Sequence, residues 1–324
     1  MPHLQVAHCL LVLCMCCLSG AFRVAKPLSG AFKVAKSAGA SSTVLFDGSM
    51  FAESGSAVTE GLLKRERYIA SNRFNVRPGK ETIFEARWAN RKSRLAKLDG
   101  FRFFTLMKKI QAEEEDTTPN YVSFTIWENK DNFDAWRTGE AFKEAHGGGS
   151  IMDFMQLIGT ALFILKGKPR PAFFDAVLPI SSGMTNADLG IAPNENGWRD
   201  VAADGKTDLP ADVIVAQDRF SVRDDCKAAF EKVWQERESK LKDFPGFFGF
   251  FMQRRDASVA DDGVNYIASS MWQSKAHFDA FKATMLQQAK ENGAAPSKTM
   301  ELLNSPPKII LYEGKLALLS SKGP

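Results

Sequence analysis

Cysteine is nearly absent from the body of this 324-residue chain: Cys9, Cys14, Cys16 and Cys17 lie in or beside the apolar run Val6 to Leu18, and only Cys226 follows. Once that segment is removed, no intrachain disulfide framework is possible. Histidine is equally scarce, with His3, His8, His146 and His277 in all, so imidazole chemistry in the body of the chain rests on two residues. Acidic residues are missing altogether from positions 1 to 46, which carry Arg23, Lys26, Lys33 and Lys36. Without those four charges the remainder has 38 basic and 38 acidic groups, so the basic balance gives no reason to expect a nucleic-acid partner. A nucleotide fingerprint is lacking too, because Gly147-Gly148-Gly149 follow a helical pattern rather than open one, which excludes a bound flavin or nicotinamide on that motif. What is present is core material. With 44% hydrophobic, 25% charged and 11% aromatic residues, mostly Phe, the chain reads as globular, and its length predicts two domains or one large one.

The N-terminal apolar run is too short for an ordinary membrane-spanning helix, and Ser19-Gly20-Ala21 offers small residues of the kind a signal peptidase accepts. Ser19-Gly20-Ala21-Phe22-Arg23-Val24-Ala25-Lys26 then recurs as Ser29-Gly30-Ala31-Phe32-Lys33-Val34-Ala35-Lys36, followed by a Ser/Ala-rich stretch without acids. A signal sequence followed by a transit-like segment resembles the bipartite plastid-targeting presequences of algae with secondary plastids. Residues 1–46 are therefore expected to be a presequence directing the chain to a plastid, with secretion as the alternative, and no membrane segment is expected in the mature chain.

Beyond it the chain repeats itself. An offset of 146 pairs Asn72 with Asp218, Arg73 with Arg219, Phe74 with Phe220, Phe84 with Phe230, Trp88 with Trp234, Gly100 with Gly246 and Phe104 with Phe250. After one deletion an offset of 145 pairs Trp127 with Trp272, Phe133 with Phe278 and Ala135 with Ala280. Two units follow, at 66–178 and 212–320, with the Pro-, Gly- and Asn-containing stretch 179–211 as linker. In the first, Tyr68 to Val76 alternates as a strand does, Glu81 to Leu98 has apolar residues at helical spacing, strands are expected at Phe101 to Lys108 and Tyr121 to Glu128, a helix from Asp131 to Ala145, and a last strand from Ala172 to Leu178. The order βαββαβ is the ferredoxin-like split unit. Each four-stranded sheet would leave one apolar face bare, so the expected fold class is α+β, two such units closing an intramolecular dimeric α+β barrel within a monomeric pseudo-dimer.

Three residues stand out. Asn72 falls on the apolar side of its strand between Ala70 and Phe74, where an unpaired amide would cost about 1–3 kcal/mol, so a partner is implied. Trp127 shares a strand face with Ser123 and Thr125, and the matching Trp272 is equally consistent with plain packing. His146 ends the second helix, where it could cap it through the helix dipole or be a chance surface residue. His277, where the first unit has Asn132, is expected to face water, and Cys226 to be an inert helical thiol.

The pattern Asn72-Arg73-Phe74-x-Val76-x-x-Gly79-x-Glu81-x-x-Phe84-Glu85, with Trp127-Glu128-x-x-x-x-Phe133-x-x-Trp136-x-x-x-Glu140-x-Phe142-x-x-Ala145-His146, resembles the heme-degrading monooxygenases of the IsdG type, within the antibiotic biosynthesis monooxygenase superfamily. The resemblance covers 68 to about 178 and, more weakly, 213 to 318. It implies that His146 is the proximal ligand of heme iron, that Asn72 hydrogen-bonds near the oxygen site, and that Trp127 ruffles the macrocycle, with heme as both substrate and oxygen-activating group, O2 as co-substrate, and an external electron donor such as ferredoxin or ascorbate. The apolar segment Ile151 to Leu165 could cover the macrocycle. The alignment puts Asp218 at the Asn72 position and Glu291 at the His146 position, so the second unit is expected to be a degenerate partner that binds no heme. A heme carrier without turnover and a cofactor-independent monooxygenase are the alternatives.

Overall fold

A computed structural model describes residues 61–89, 94–111, 118–145, 163–181, 214–237, 239–256, 262–291 and 298–319. In the first unit these form β1 (Arg67–Phe74), α1 (Glu81–Ala89), β2 (Phe101–Gln111), β3 (Tyr121–Trp127), α2 (Lys130–Thr138), α3 (Glu140–Ala145) and β4 (Arg170–Ser181). The second unit repeats the order with β5 (Ile214–Val222), α4 (Lys227–Gln235), β6 (Phe247–Arg255), β7 (Tyr266–Trp272), α5 (Lys275–Glu291) and β8 (Leu303–Leu319). The eight strands close one antiparallel barrel in the order β1-β3-β2-β8-β5-β7-β6-β4. Both seams between the units are made by a last strand: β8 pairs with β2, and β4 with β6. The duplicated α+β barrel expected from the repeat is the fold observed. Among the described residues no helix is long and apolar enough to cross a membrane.

Alternation along each strand sorts side chains into two environments. Ile69, Met107, Val122, Phe124, Phe174, Val215, Phe251, Ile267 and Ile310 fill the barrel interior. Their neighbours of opposite parity, such as Tyr68, Phe74, Trp127, Phe220 and Trp272, lie outside under the helices.

Several expected boundaries are corrected. The helix anticipated over 81–98 ends at Ala89 within the described residues, and Leu95–Lys97 is a separate 3-10 turn closed by the Leu98 N–H on the Leu95 carbonyl. The helix anticipated over 131–145 is broken: Gly139 is extended (φ −87°, ψ 170°), and Thr138 Oγ1 donates to the Asp134 carbonyl, giving α2 and α3 in its place. β4 and β2 run longer than expected because each continues into a seam with the other unit. Cys226 ends a 3-10 turn just before α4 and is buried.

His277 is half-buried and not fully solvated as expected. Its first helical turn lies over the Gly246 turn, with Nδ1 2.9 Å from Ser274 Oγ, just as Asn132 in α2 lies over Gly100. Both glycines have positive φ (+74° and +70°), and a Cβ on either would fall inside the facing side chain. Gly246→Ala is therefore expected to destabilise by more than about 2 kcal/mol, whereas Gly79→Ala (φ +77°), with nothing within 4 Å, should show only the conformational cost of about 1 kcal/mol. Urea denaturation of the two variants separates the terms, and equal losses would mean that the close approach to His277 carries no weight.

Candidate functional site

The first unit and the second differ most on the outer face beneath their helices. In the second, one continuous apolar cluster runs from Ile214 and Ala216 through Phe220, Phe230 and Trp234 to Trp272, Phe278 and Phe281. The 17-residue α5 closes that face, with Phe281 lying 4.8 Å from Trp272 and Met285 packed alongside. In the first unit the described residues of the corresponding face form two clusters. Phe74, Val76, Phe84, Leu106 and Tyr121 form one cluster, and Tyr68, Phe101, Trp127 and Phe133 another, bridged by the partly buried Phe104.

Asn72 stands at the division. On β1 it is in register with Ser123 of β3 and Pro171 of β4, on the outer side between Ala70 and Phe74. Its half-buried amide makes no side-chain hydrogen bond among the described residues. An amide in that setting is a donor and acceptor still to be used.

Trp127 is fully buried beneath α2, 5.5 Å from Phe101, 6.1 Å from Phe133 and 5.4 Å from Trp136, whose ring in turn meets Phe142 at 5.0 Å. Its Nε1 donates to Thr125 Oγ1 at 3.0 Å, and that hydroxyl donates to the Ala70 carbonyl at 3.2 Å. Trp272 is held identically, with Nε1 donating to Ser270 Oγ at 2.9 Å. The tryptophan is thus a feature of both units, and it is Asn72 that sets the first apart.

His146 lies outside the described residues, as do Gly147 to Gly149 and Ile151 to Leu162 of the expected covering segment. The residues at both ends of that stretch are described. The chain leaves α3 at Ala145 on the Trp136 and Phe142 side, and returns where Ile164 and Leu165 are buried against Phe74 and Phe84. There Leu165 bridges Val76, and the Arg77 N–H donates to the Ile164 carbonyl at 2.9 Å. Departure and return lie on opposite sides of Asn72. Among the described residues no group of His, Cys, Asp and Glu could hold a metal ion.

The second unit closes the same place with a different chemistry. Asp218, in register with Ala268 and Ile309, is only 6% exposed and accepts no side-chain hydrogen bond among the described residues. Burial pushes its carboxyl up to about 7, and the Arg237 guanidinium pulls the other way. Arg237 itself stacks 4.0 Å from the Trp234 ring. Glu291, aligned with His146, is exposed on α5 and accepts from Gln287 Nε2 at 2.9 Å.

Buried tyrosines brace both faces. Tyr121 O–H donates to Glu85 Oε1 at 2.5 Å and Tyr266 O–H to Glu231 Oε1 at 2.8 Å, and burial together with the adjacent carboxylate holds both phenols protonated. Cys226 Sγ accepts from Arg223 Nη2 at 3.0 Å, a local contact with no second thiol among the described residues. Sequence reading passed over the charged residues inside the barrel: Arg73, Arg219 and Arg255 converge on Asp262. The available signal was parity, since Arg73 and Arg219 are repeat partners adjacent to Asn72 and Asp218 and so face the opposite way.

Comparison with known proteins places these features. The family model for antibiotic biosynthesis monooxygenases matches residues 67–148 and again 213–290. Among solved structures, a protein from Fusobacterium nucleatum provisionally named a monooxygenase superposes with a TM-score of 0.50 at 8% identity, over 79% of this chain and 96% of that one. A heme-degrading enzyme from Listeria monocytogenes aligns over 76% of this chain and 98% of its own at 10% identity, with a TM-score of 0.31. With the family model matched twice and the strand order of both units in agreement, the chain carries two antibiotic biosynthesis monooxygenase domains in tandem.

Proposed function

We propose that the protein degrades heme oxidatively, opening the ring and releasing iron, in a plastid, with the first domain as the working half. The observation that carries this reading is Asn72: its amide makes no side-chain hydrogen bond among the described residues, on an otherwise apolar aromatic face whose described residues form two clusters in the first domain and one in the second. A flat macrocycle with a metal at its centre needs apolar walls and a few placed polar groups. The walls here would be Phe74, Phe104 and the Trp127 to Phe142 stack, the placed group would be Asn72, and the iron would be held by His146, which follows α3 directly in the chain.

When bound, heme supplies the oxygen and electron chemistry, and the electrons come from an external donor such as ferredoxin or ascorbate. The chain's own residues bind and orient. Asn72 would offer its amide N–H to the bound macrocycle. Thr125 fixes the plane of Trp127 through one hydrogen bond, so that any pressure from this ring is exerted in a set direction. The Tyr121–Glu85 pair ties α1 to β3 and keeps the opposite wall in place. The plastid location rests on the presequence at 1–46.

Hemin added to the mature protein is expected to give a shifted Soret band that decays under ascorbate or reduced ferredoxin. A stable band points to the carrier, and no shift at all to a cofactor-independent monooxygenase in which Asn72 and Trp127 are only packing. Asn72→Ala is expected to leave hemin affinity within a few-fold of the parent while slowing ring opening at least about 10-fold, the scale of one lost hydrogen bond in the transition state. Equal turnover by the two proteins would remove Asn72 from the site.

A further inference from the structure

Inside the barrel, away from the face just described, lies a second polar site. Arg73, Arg219 and Arg255 reach it from β1, β5 and β6, and their side chains are 6%, 4% and 4% exposed. Asp262 accepts from Arg73 Nη1 and Arg219 Nη2 at 2.6 Å each, and from Arg255 Nη2 at 2.9 Å. Arg73 Nε donates to the Arg170 carbonyl and Arg255 Nε to the Val264 carbonyl. Arg219 is different. Asp262 is its side-chain partner, and its Nε and Nη1 donate to nothing among the described residues.

These groups line a cavity with Ser71, Gln217 and Gln253, in which the centre of a water-sized species has about 10 Å3 to move. Ser71 and Gln217 are 6% and 4% exposed, and their side chains also make no hydrogen bond among the described residues. Gln253 is already engaged, its Nε2 donating to Ser269 Oγ at 2.6 Å. Buried donors without partners are costly, and a guanidinium supplies donors alone, so the occupant must accept. The size suits a single compact species.

We infer that this cavity is a binding site for a small monovalent anion of halide size, held by Arg219 Nε and Nη1 with the Ser71 hydroxyl and the Gln217 amide. Arg73 and Arg219 are repeat partners brought to one carboxylate by the closure of the two halves, so the site exists only in the assembled barrel and its occupant joins the domains.

The test holds ionic strength constant with sodium gluconate, whose anion is too large to enter, and replaces it with chloride or bromide up to about 100 mM. The melting temperature is expected to rise by about 3 °C or more with saturation, and 35Cl resonances to broaden until bromide displaces chloride. Arg219→Gln is expected to abolish both responses. Should that variant fail to fold, the wild-type protein crystallised in bromide decides, with an anomalous peak expected within hydrogen-bond distance of Arg219 Nε. Identical melting in gluconate and halide, with no such peak, means that water or an internal carboxylate fills the cavity, and the anion site is then wrong.

Discussion

Stability is expected to fall as the pH rises from about 4 to about 7, by on the order of 4 kcal/mol, and Asp218→Asn to remove most of that slope. The sign follows from the direction of the shift. Burial raises the folded-state value of the Asp218 carboxyl from 3.8 to about 7, so between those values the folded protein binds a proton that the unfolded chain has released. Each pH step upward through that window favours the unfolded chain, and the full penalty stands above pH 7. Arg237 is the one charge that offsets it, and its removal should push the Asp218 value higher still. The asparagine amide would itself be unpartnered, at a cost of about 1–3 kcal/mol, so the net gain at pH 8 is expected near 1–3 kcal/mol, with no gain at pH 5. Urea denaturation at the two pH values checks it. A parent whose stability is flat across this window would show that Asp218 is solvated or paired.

The second large effect is expected at the seam. Arg254 on β6 donates to Asp175 of β4 at 2.9 Å, to Glu231 of α4 at 2.9 Å and to the Leu63 carbonyl at 3.0 Å. Glu231 is 1% exposed and also accepts from Tyr266 O–H and, at 2.6 Å, from the Leu63 N–H. Arg254→Met leaves that carboxylate buried without its cation, which should cost about 3–5 kcal/mol. Adding Glu231→Gln removes the stranded charge and should restore a large part of the loss, because the two sites share one network. A single-variant loss below about 1 kcal/mol would show that water reaches Glu231 and that the network does not hold the halves.

Much of the fold was legible because both units spell it with the same aromatic residues. Phe74, Phe84, Trp88 and Phe104 recur as Phe220, Phe230, Trp234 and Phe250, and in both halves they pack as one nested group, with the Phe74–Phe84 and Phe220–Phe230 rings each 5.3 Å apart. What periodicity could not show is where a backbone breaks. Gly139 lies inside a pattern that continues smoothly from Phe133 to Phe142, and the interruption comes from an extended glycine that apolar spacing does not register. His277 is more covered than expected for a related reason: a helical wheel describes the helix alone, and the Gly246 turn that approaches this residue comes from another part of the chain.

The site was legible in part. Asn72 was recognised from a polar residue at an apolar parity, and among the described residues its half-buried amide makes no side-chain hydrogen bond. The same reasoning applied to Asp218 gave its alignment but not its burial, which follows from packing that strand parity alone does not register. The interior arginines escaped because a charged side chain in a strand is ordinarily read as facing water, and only the closure of two sheets turns that face inward.

The central claim is that the tandem contains one working domain and one that supports it. Hemin titration of the mature chain tests this most directly. Saturation at one equivalent per chain, with a histidine-ligated spectrum that His146→Ala abolishes and Asp218→Asn leaves intact, is the expected result. Two equivalents per chain, both histidine-ligated, would contradict the account.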